Sequence, residues 1–415
     1  MRNFLTCITL LIFIFSCNTD RKTDHNKTID TTRITINQLG NRYLELNRFS
    51  GVILVSRDSN VIYSNSFGLA DYENNKPFTE STTFKIGEIS ELITAGLLAK
   101  LENEGKLSRS DKVSEYVPGI NSDLTISDLI NHKTGFPAIS TISENNPSEN
   151  YSTVAFTNLV KDTTENSVNS DLDYNLLGLV IENVTGKSFQ KNIEDYNNDL
   201  GLKNTYFIRE DTNLATGYLY HNYRGNGPEL QIAPSYNPDI AFSSRGIKST
   251  AEDLVKCIGQ SSADSLSISG YIENDGFSYS VYKELQTQTI IVVLSNRRHP
   301  VSAEITNSIT SILHDEEYEL PLLKKPVDID TKLFNEYAGV YSLNENMMIE
   351  VVKEADSLFV MLGPNKTALI PQSNNQFYME QGDAAIRFLR DSTNVVNGAE
   401  LLNGFLTGPQ AIKVK

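Results

Sequence analysis

The sequence predicts an α+β domain built on an antiparallel sheet, followed by a small all-β domain. Three observations predict it. β-rich runs lie near residues 52–66 and again at 277–295, the chain between them is helical and loop-rich, and beyond residue 331 short β-runs are punctuated by Asn, Gly and Pro. Strands, then helices, then strands again place the first and last strands of one sheet at opposite ends of the domain. A chain of 415 residues, 39% hydrophobic and 21% charged, is long and apolar enough for one large folded domain plus a small one.

Taken in order, apolar residues at 34, 36, 39, 44 and 46 predict a helix over Ile34 to Leu46. Val52 to Ser56 and Val61 to Ser66, separated by the turn-forming RDSN, predict a hairpin. Ile89, Leu92, Ile93, Leu97, Leu98 and Leu101 share one helical face, and Gly105 stops that helix. Shorter helices are expected at Thr125 to Asn131, at Asp173 to Val184 with Gly186 as its stop, and at Thr250 to Ile258. Phe277 to Lys283 and Thr289 to Ser295 predict a strand pair joined by ELQTQ. Pro and Lys cluster in LPLLKKPVDID, which sets a linker at 320–330 between a domain at 31–319 and a β-barrel or sandwich at 331–415.

The N-terminus reads as an export signal. Arg2 precedes an apolar run from Phe4 to Phe15, too short to span a bilayer and suited to a signal-peptide core. The run ends in IFSC, which resembles the bacterial lipoprotein signal, in which the Cys, here Cys17, is lipidated. A secretory signal cut elsewhere is the alternative. Residues 18–30 are polar and aperiodic, as expected of a flexible tether between membrane and domain. A net charge of -16 argues against nucleic acid or an anionic membrane surface as the main partner. Cys7 and Cys17 belong to the signal and Cys257 is alone in the mature chain, so no intramolecular disulfide and no cysteine metal site is expected. The five histidines, 25, 132, 221, 299 and 314, show no zinc-binding spacing.

An ordered set of landmarks then carries a resemblance. FSGVILVSRDSNVIY, FKIG, LENEGKLSRSDKVSEYVPG, LTISDLINHKTGFP, YNLLGLVIENVTGKSF, LGLKNTYF, STAEDL and GFSYS before IIVVLSN follow the order and spacing of the serine β-lactamase and penicillin-binding-protein group, especially class C β-lactamases and D-alanyl-D-alanine carboxypeptidases. The resemblance covers about residues 30–315, and the tail resembles a lipocalin-like β-domain. It implies a β-lactamase/transpeptidase-like fold and acyl transfer. A Ser at a helix N-terminus attacks, a Lys three positions on and a Tyr-x-Asn handle its proton, and a Lys or His with glycines binds the substrate carboxylate. Three positions along a helix is the same face, which lets Ser and Lys share a proton.

This chain departs from that pattern at every catalytic position. Where the family has I-G-S-x-S-K, the sequence has I-G-E-I-S-E, placing Glu88 on the nucleophile, Ser90 on the second serine and Glu91 on the lysine. Tyr-x-Asn aligns with Asn169, Ser170 and Asp171, and His-x-Gly with Ile268, Ser269 and Gly270. Two look-alikes do not restore it. Lys133-Thr134-Gly135 precedes the Tyr-x-Asn position, and Ser280 and Lys283 of SVYK lie on a predicted strand, where i and i+3 face opposite sides. Ser90 sits about 200° around the helix from position 88.

The resemblance brings Glu88, Glu91 and Asp171 to one cleft, where three carboxylates raise one another's pKa unless a cation intervenes. One expectation is a pocket for an amine, a basic peptide or a hard cation such as calcium. A second is a ligand- or partner-binding pseudoenzyme, a membrane-anchored cell-envelope lipoprotein that recognises a peptide or peptidoglycan-like ligand or holds a protein partner. A third is an active hydrolase on peptides, esters or peptidoglycan-type substrates that uses Glu88 and Glu91 as acid and base. The bland alternative is that glutamates in a helix's first turn merely complement its dipole.

Overall fold

The structure is a computed structural model that describes residues 19–120, 123–136, 170–207, 211–221, 229–234 and 238–414, the last range apart from 262, 264, 273–274, 298–300, 319, 322–325, 345–346, 363–364, 380–383 and 403–409. The expected signal peptide with Cys17, and Asn169, lie outside the described residues. Among the described residues, no helix is long and apolar enough to cross a membrane.

Alternation along the strands builds the large domain. Strands β1 (Gly51–Arg57) and β2 (Asn60–Phe67) form the expected hairpin around Asp58 and Ser59, which both adopt positive φ. β1 also pairs antiparallel with β9 (Thr289–Ser295), Ile53 opposite Val293, so strands from the two ends of the domain meet as the sequence implies. Successive side chains of these two strands point to opposite faces. Leu54, Val292 and Leu294 join one core with the middle helices, while Ile53, Val55, Ile291 and Val293 join a second core with the terminal helices. Both faces are covered, which is why TIIVVLS reads as an unbroken apolar run.

The full sheet order is β2-β1-β9-β8-β7, with β8 at Phe277–Glu284 and β7 at Ser265–Ile272. The strand β7 is not legible in the sequence, because Ser-Leu-Ser-Ile-Ser-Gly-Tyr-Ile has few β-branched residues and its alternate positions are exposed. It is an edge strand, bonded to β8 over its length. Two short antiparallel pairs form separate two-stranded sheets, β3 (Phe84–Lys85) with β6 (Lys248–Ser249) and β4 (Tyr218–His221) with β5 (Glu229–Ile232).

The helix α2 (Ile89–Asn103) buries Ile89, Ile93, Leu97, Leu98 and Leu101 in the larger core, packed chiefly on the helices Asp171–Thr185, Phe189–Leu200 and Pro238–Arg245. Burying one such side chain contributes roughly 1.5–3 kcal/mol. The helix Asp171–Thr185 is capped by the Ser170 hydroxyl, which accepts from Leu172 N–H, and is stopped by left-handed Gly186 as expected. Thr125 and Asp128 form a reciprocal capping box ahead of the helix Ile126–Ile130, and Thr250 caps Ala251–Gln260. The first helix, α1, is longer than predicted. It runs from Thr19 to Glu45, through the stretch expected to be a flexible tether, because a helix anchored by buried Ile36, Leu39 and Tyr43 extends into polar sequence without needing an apolar stripe there.

The tail closes into an eight-stranded antiparallel barrel, β10 (Gly339–Asn344), β11 (Met347–Glu354), β12 (Ser357–Leu362), β13 (Asn365–Pro371), β14 (Gln376–Met379), β15 (Ala385–Arg390), β16 (Val396–Leu402) and β17 (Gln410–Lys413). Closure comes from Tyr341 and Ser342 of β10 pairing with Lys413 and Ile412 of β17. Phe334, Tyr337, Tyr341, Phe377 and Phe388 fill its interior, with Tyr337 and Phe388 stacked 4.3 Å apart. Eight strands enclose about the space that side chains can fill, so this barrel has a packed core.

Candidate functional site

Helix α2 begins beside β7, and its N-cap and first turn carry the two glutamates that the sequence singles out, Glu88 and Glu91. Residues 88, 91, 92 and 95 fall on one helical face. That face and Ser267, Ile268 and Ser269 of β7 wall a cleft of about 450 Å³, which Tyr174 of the Asp171 helix completes. Glu88, Glu91 and Ile268 therefore meet at one cleft, as the resemblance implies.

Glu88 and Asp171 converge on a residue the sequence reasoning missed. Arg245 Nη2 donates to Glu88 Oε1 at 2.9 Å, and its Nε lies 2.5 Å from Asp171 Oδ1. The second contact is an ion pair whose N–H direction lies off the hydrogen-bond line. Asp171 is about nine-tenths buried, whereas Glu88 and Arg245 keep 43% and 39% of their side-chain surface, so the inner arm of this bridge is the strongly desolvated one. Burial pushes the Asp171 carboxyl up and Arg245 pulls it back. Burial likewise works against the Arg245 charge, and the carboxylates of Asp171 and Glu88 outweigh it.

The segment carrying Arg245 is tied to both helices. Thr94 of α2 donates to Ser243 C=O at 2.8 Å, Ser243 Oγ donates to Tyr174 C=O at 2.8 Å, and Ser244 N–H donates to Asn175 Oδ1 at 3.1 Å. Phe242, just before it, sits at φ 25°, a backbone conformation rare for an aromatic residue, packed between Phe189 and Phe207. Gly178 permits the approach, since a Cβ there would stand 2.1 Å from Ser243 Oγ.

Glu91 has a different partner. His132, at the left-handed φ of 51°, lies with Nε2 3.4 Å from Glu91 Oε2 and Nδ1 3.0 Å from Asp173 Oδ2. Thr134 donates to the other Asp173 oxygen. Hydrogen bonds to Asp173 and Glu91 raise the imidazole pKa from 6.5 to about 10. Burial raises the Glu91 carboxyl, and the hydrogen bond to His132 opposes that rise. Thr134 of the KTG look-alike thus serves the second coordination of a buried aspartate.

The repulsion expected among three carboxylates is met by the chain's own cations, Arg245 and His132. Among the described residues no three His, Cys, Asp or Glu side chains stand close enough together to hold a metal ion. Ser90 is fully buried and its Oγ accepts Ile247 N–H at 3.3 Å. The N-terminal amide of Glu88 is engaged too, donating to Tyr279 Oη at 3.2 Å. That hydroxyl fills the space between α2 and β7, where a Cβ on Gly270 would lie 2.6 Å from it. Ser280 and Lys283 lie on β8 as expected, both buried, and Lys283 donates to Ser261 C=O at 2.6 Å.

A five-stranded sheet with helices on both faces and a cleft at the head of its central helix, followed in the chain by a separate closed barrel, define a β-lactamase/transpeptidase-like protein. The chain belongs to the beta-lactamase family, whose model matches residues 36–274. It is 22% identical to penicillin-binding protein 4* of Bacillus subtilis over 83% of this chain and 91% of that one. It is 29% identical to teichoic acid D-alanine hydrolase of Staphylococcus aureus over 53% of this chain and 56% of that protein's length. The octameric penicillin-binding protein homologue from Pyrococcus abyssi superposes with a TM-score of 0.59 at 19% identity, covering 91% of this chain and 99% of that one, a likeness of fold.

Proposed function

We propose that this family member forms no acyl-enzyme and works as a ligand-binding pseudoenzyme of the cell envelope, exported and held to the membrane through Cys17. The observation that carries the reading is the Arg245 bridge. Glu88 and Asp171, on the family's nucleophile and Tyr-x-Asn positions, are clasped by one guanidinium, and the neighbouring Ser90 is buried and already hydrogen-bonded. Glu91, on the lysine position, holds His132. A carboxylate here can neither take the place of the Ser nucleophile in that mechanism nor act as the cationic proton shuttle of the Lys. In other enzymes, losing a catalytic Ser or its base costs on the order of 10⁶ in kcat.

The cleft itself stays open beside the bridge, so a binding role survives the loss of chemistry. Purified protein is expected to leave a chromogenic cephalosporin and a D-alanyl ester unhydrolysed above the buffer rate. Turnover that disappears in E91Q would favour Glu91 as an acid–base group and sink the pseudoenzyme reading.

A further inference from the structure

Hydrogen bonding at the head of α2 singles out one amide. Ile89, Ser90 and Glu91 donate to the carbonyls of Ile86, Gly87 and Glu88 at 3.1, 2.9 and 3.0 Å, so their N–H groups are spent within the turn. Glu88 N–H goes instead to a side chain from another element, the phenol of Tyr279 on β8, at 3.2 Å. The first amides of a helix are presented to whatever polar group stands in front of them. Here that group is part of the chain.

Two glycines make room for it. Gly270 of β7 lies directly opposite Tyr279 in the sheet, and its missing side chain lets the phenol lean toward the helix. On the helix side, a Cβ on Gly87 would stand 2.2 Å from the Tyr279 ring, and Gly87 takes a φ of 52° that glycine adopts freely. The ring is 2% exposed and belongs to the core that also holds α2. Burial, and then the Glu88 charge, push the phenol pKa up, so a neutral hydroxyl faces the amide.

Acyl transfer to a side-chain nucleophile places negative charge on the oxygen of the attacked carbonyl, and fixed donors aimed at that oxygen supply much of the rate. In the serine-protease triad the nucleophile's own amide is one of those donors. Position 88 is the nucleophile position of the resemblance, so its amide is the main-chain donor nearest to a carbonyl attacked there.

We propose that Tyr279 is a built-in plug, whose hydroxyl occupies the place of a substrate carbonyl oxygen at the head of α2 and excludes acyl donors independently of the loss of Ser and Lys. The inactivation is then double, and restoring the lost side chains alone would not reverse it. The plug rests on the pseudoenzyme reading for the role of position 88, and the two fail separately. Covalent labelling of the wild-type chain decides that reading, whereas the comparison below decides only the plug.

The test introduces a thiol into the full chain with E88C and compares two reagents, each read at position 88 by peptide mapping. Iodoacetamide alkylates a thiolate with loss of iodide and develops no oxyanion, so its rate reports access and thiolate content. p-Nitrophenyl acetate acylates the same thiolate through a tetrahedral oxyanion and releases p-nitrophenolate. In E88C the ratio of acylation to alkylation is expected to match that of N-acetylcysteine. In E88C/Y279S it should rise at least about tenfold, short of the roughly 10²–10³ that one well-placed donor is worth, because the emptied space admits water. An unchanged ratio would overturn the proposal. So would a fall, which would make Tyr279 a donor to the oxyanion. Because Y279S empties core volume, Y279F gives a second check in a chain that keeps the ring. Removing only the acceptor should speed hydrogen exchange of the Glu88 amide about fivefold or more, while the amides of Ser90 and Glu91 hold their rates. Exchange at the wild-type rate would equally overturn the plug.

Discussion

Replacing Arg245 with Met lowers stability by about 2–3 kcal/mol, and adding E88Q and D171N to that variant recovers most of the loss. Removing one member of a buried ion pair leaves an uncompensated charge, which costs about 3–5 kcal/mol when the pair is fully buried. The lower figure applies here because the two arms differ. Asp171 keeps only 10% of its side-chain surface, so its arm carries most of the cost. Glu88 is 43% exposed, and a pair so screened contributes at most about 1 kcal/mol. In the triple variant the three charges of this bridge are gone together, and neutral side chains of similar size replace them at little cost. Urea denaturation of the wild type, R245M and the triple variant measures all three. A triple variant as unstable as R245M would show that Arg245 acts through packing, and an R245M chain as stable as the wild type would show that the bridge contributes nothing.

The second large effect is a pH dependence carried by His132. Its imidazole titrates near 10 in the folded chain, against 6.5 ordinarily, because Asp173 and Glu91 bind the protonated ring. A group whose pKa is raised by folding stabilises the fold fully below its unfolded value and loses that contribution as pH climbs to the folded value. Stability should therefore fall between about pH 6.5 and 10, by roughly 3–5 kcal/mol. H132N should be less stable by a similar amount at pH 6.5 and should flatten the slope, while Asn still tolerates the left-handed φ of 51° at this position. Thermal melts of both chains across that pH range provide the check. A slope of equal size in H132N would place the titration elsewhere.

The parts of this molecule that the sequence makes legible are those with local cause. The hairpin at Asp58 and Ser59, the apolar stripe of α2, the Gly186 stop and the buried run of β9 each follow from neighbouring residues. The convergence of Glu88, Glu91 and Ile268 on one cleft came from the ordered resemblance, since no local pattern joins residues so far apart. Arg245 and His132 were missed for the same reason. Arg245 lies 157 positions from Glu88, in a stretch whose composition shows no motif, and a lone His in HKTGFP looks like any loop histidine. Their signal was indirect. Three carboxylates in one desolvated cleft require cations, and the choice left open was whether a ligand or the chain supplied them. The strand β7 escaped notice because an exposed, serine-rich edge lacks the composition by which strands are recognised.

The head of α2 separates two uses of one scaffold. In the chemistry the resemblance implies, a helix-borne Ser attacks a carbonyl while a Lys and a Tyr-x-Asn handle its proton. Here the amide of Glu88 is satisfied by Tyr279 and the side chains are satisfied by Arg245 and His132.

The most direct test of the central claim is exposure of the purified chain to a fluorescent penicillin and to a fluorophosphonate, followed by intact mass measurement and peptide mapping. The account predicts an unmodified mass with both probes, with Ser90 unlabelled even at long exposure. A stoichiometric adduct on any serine, Ser90 above all, would contradict it.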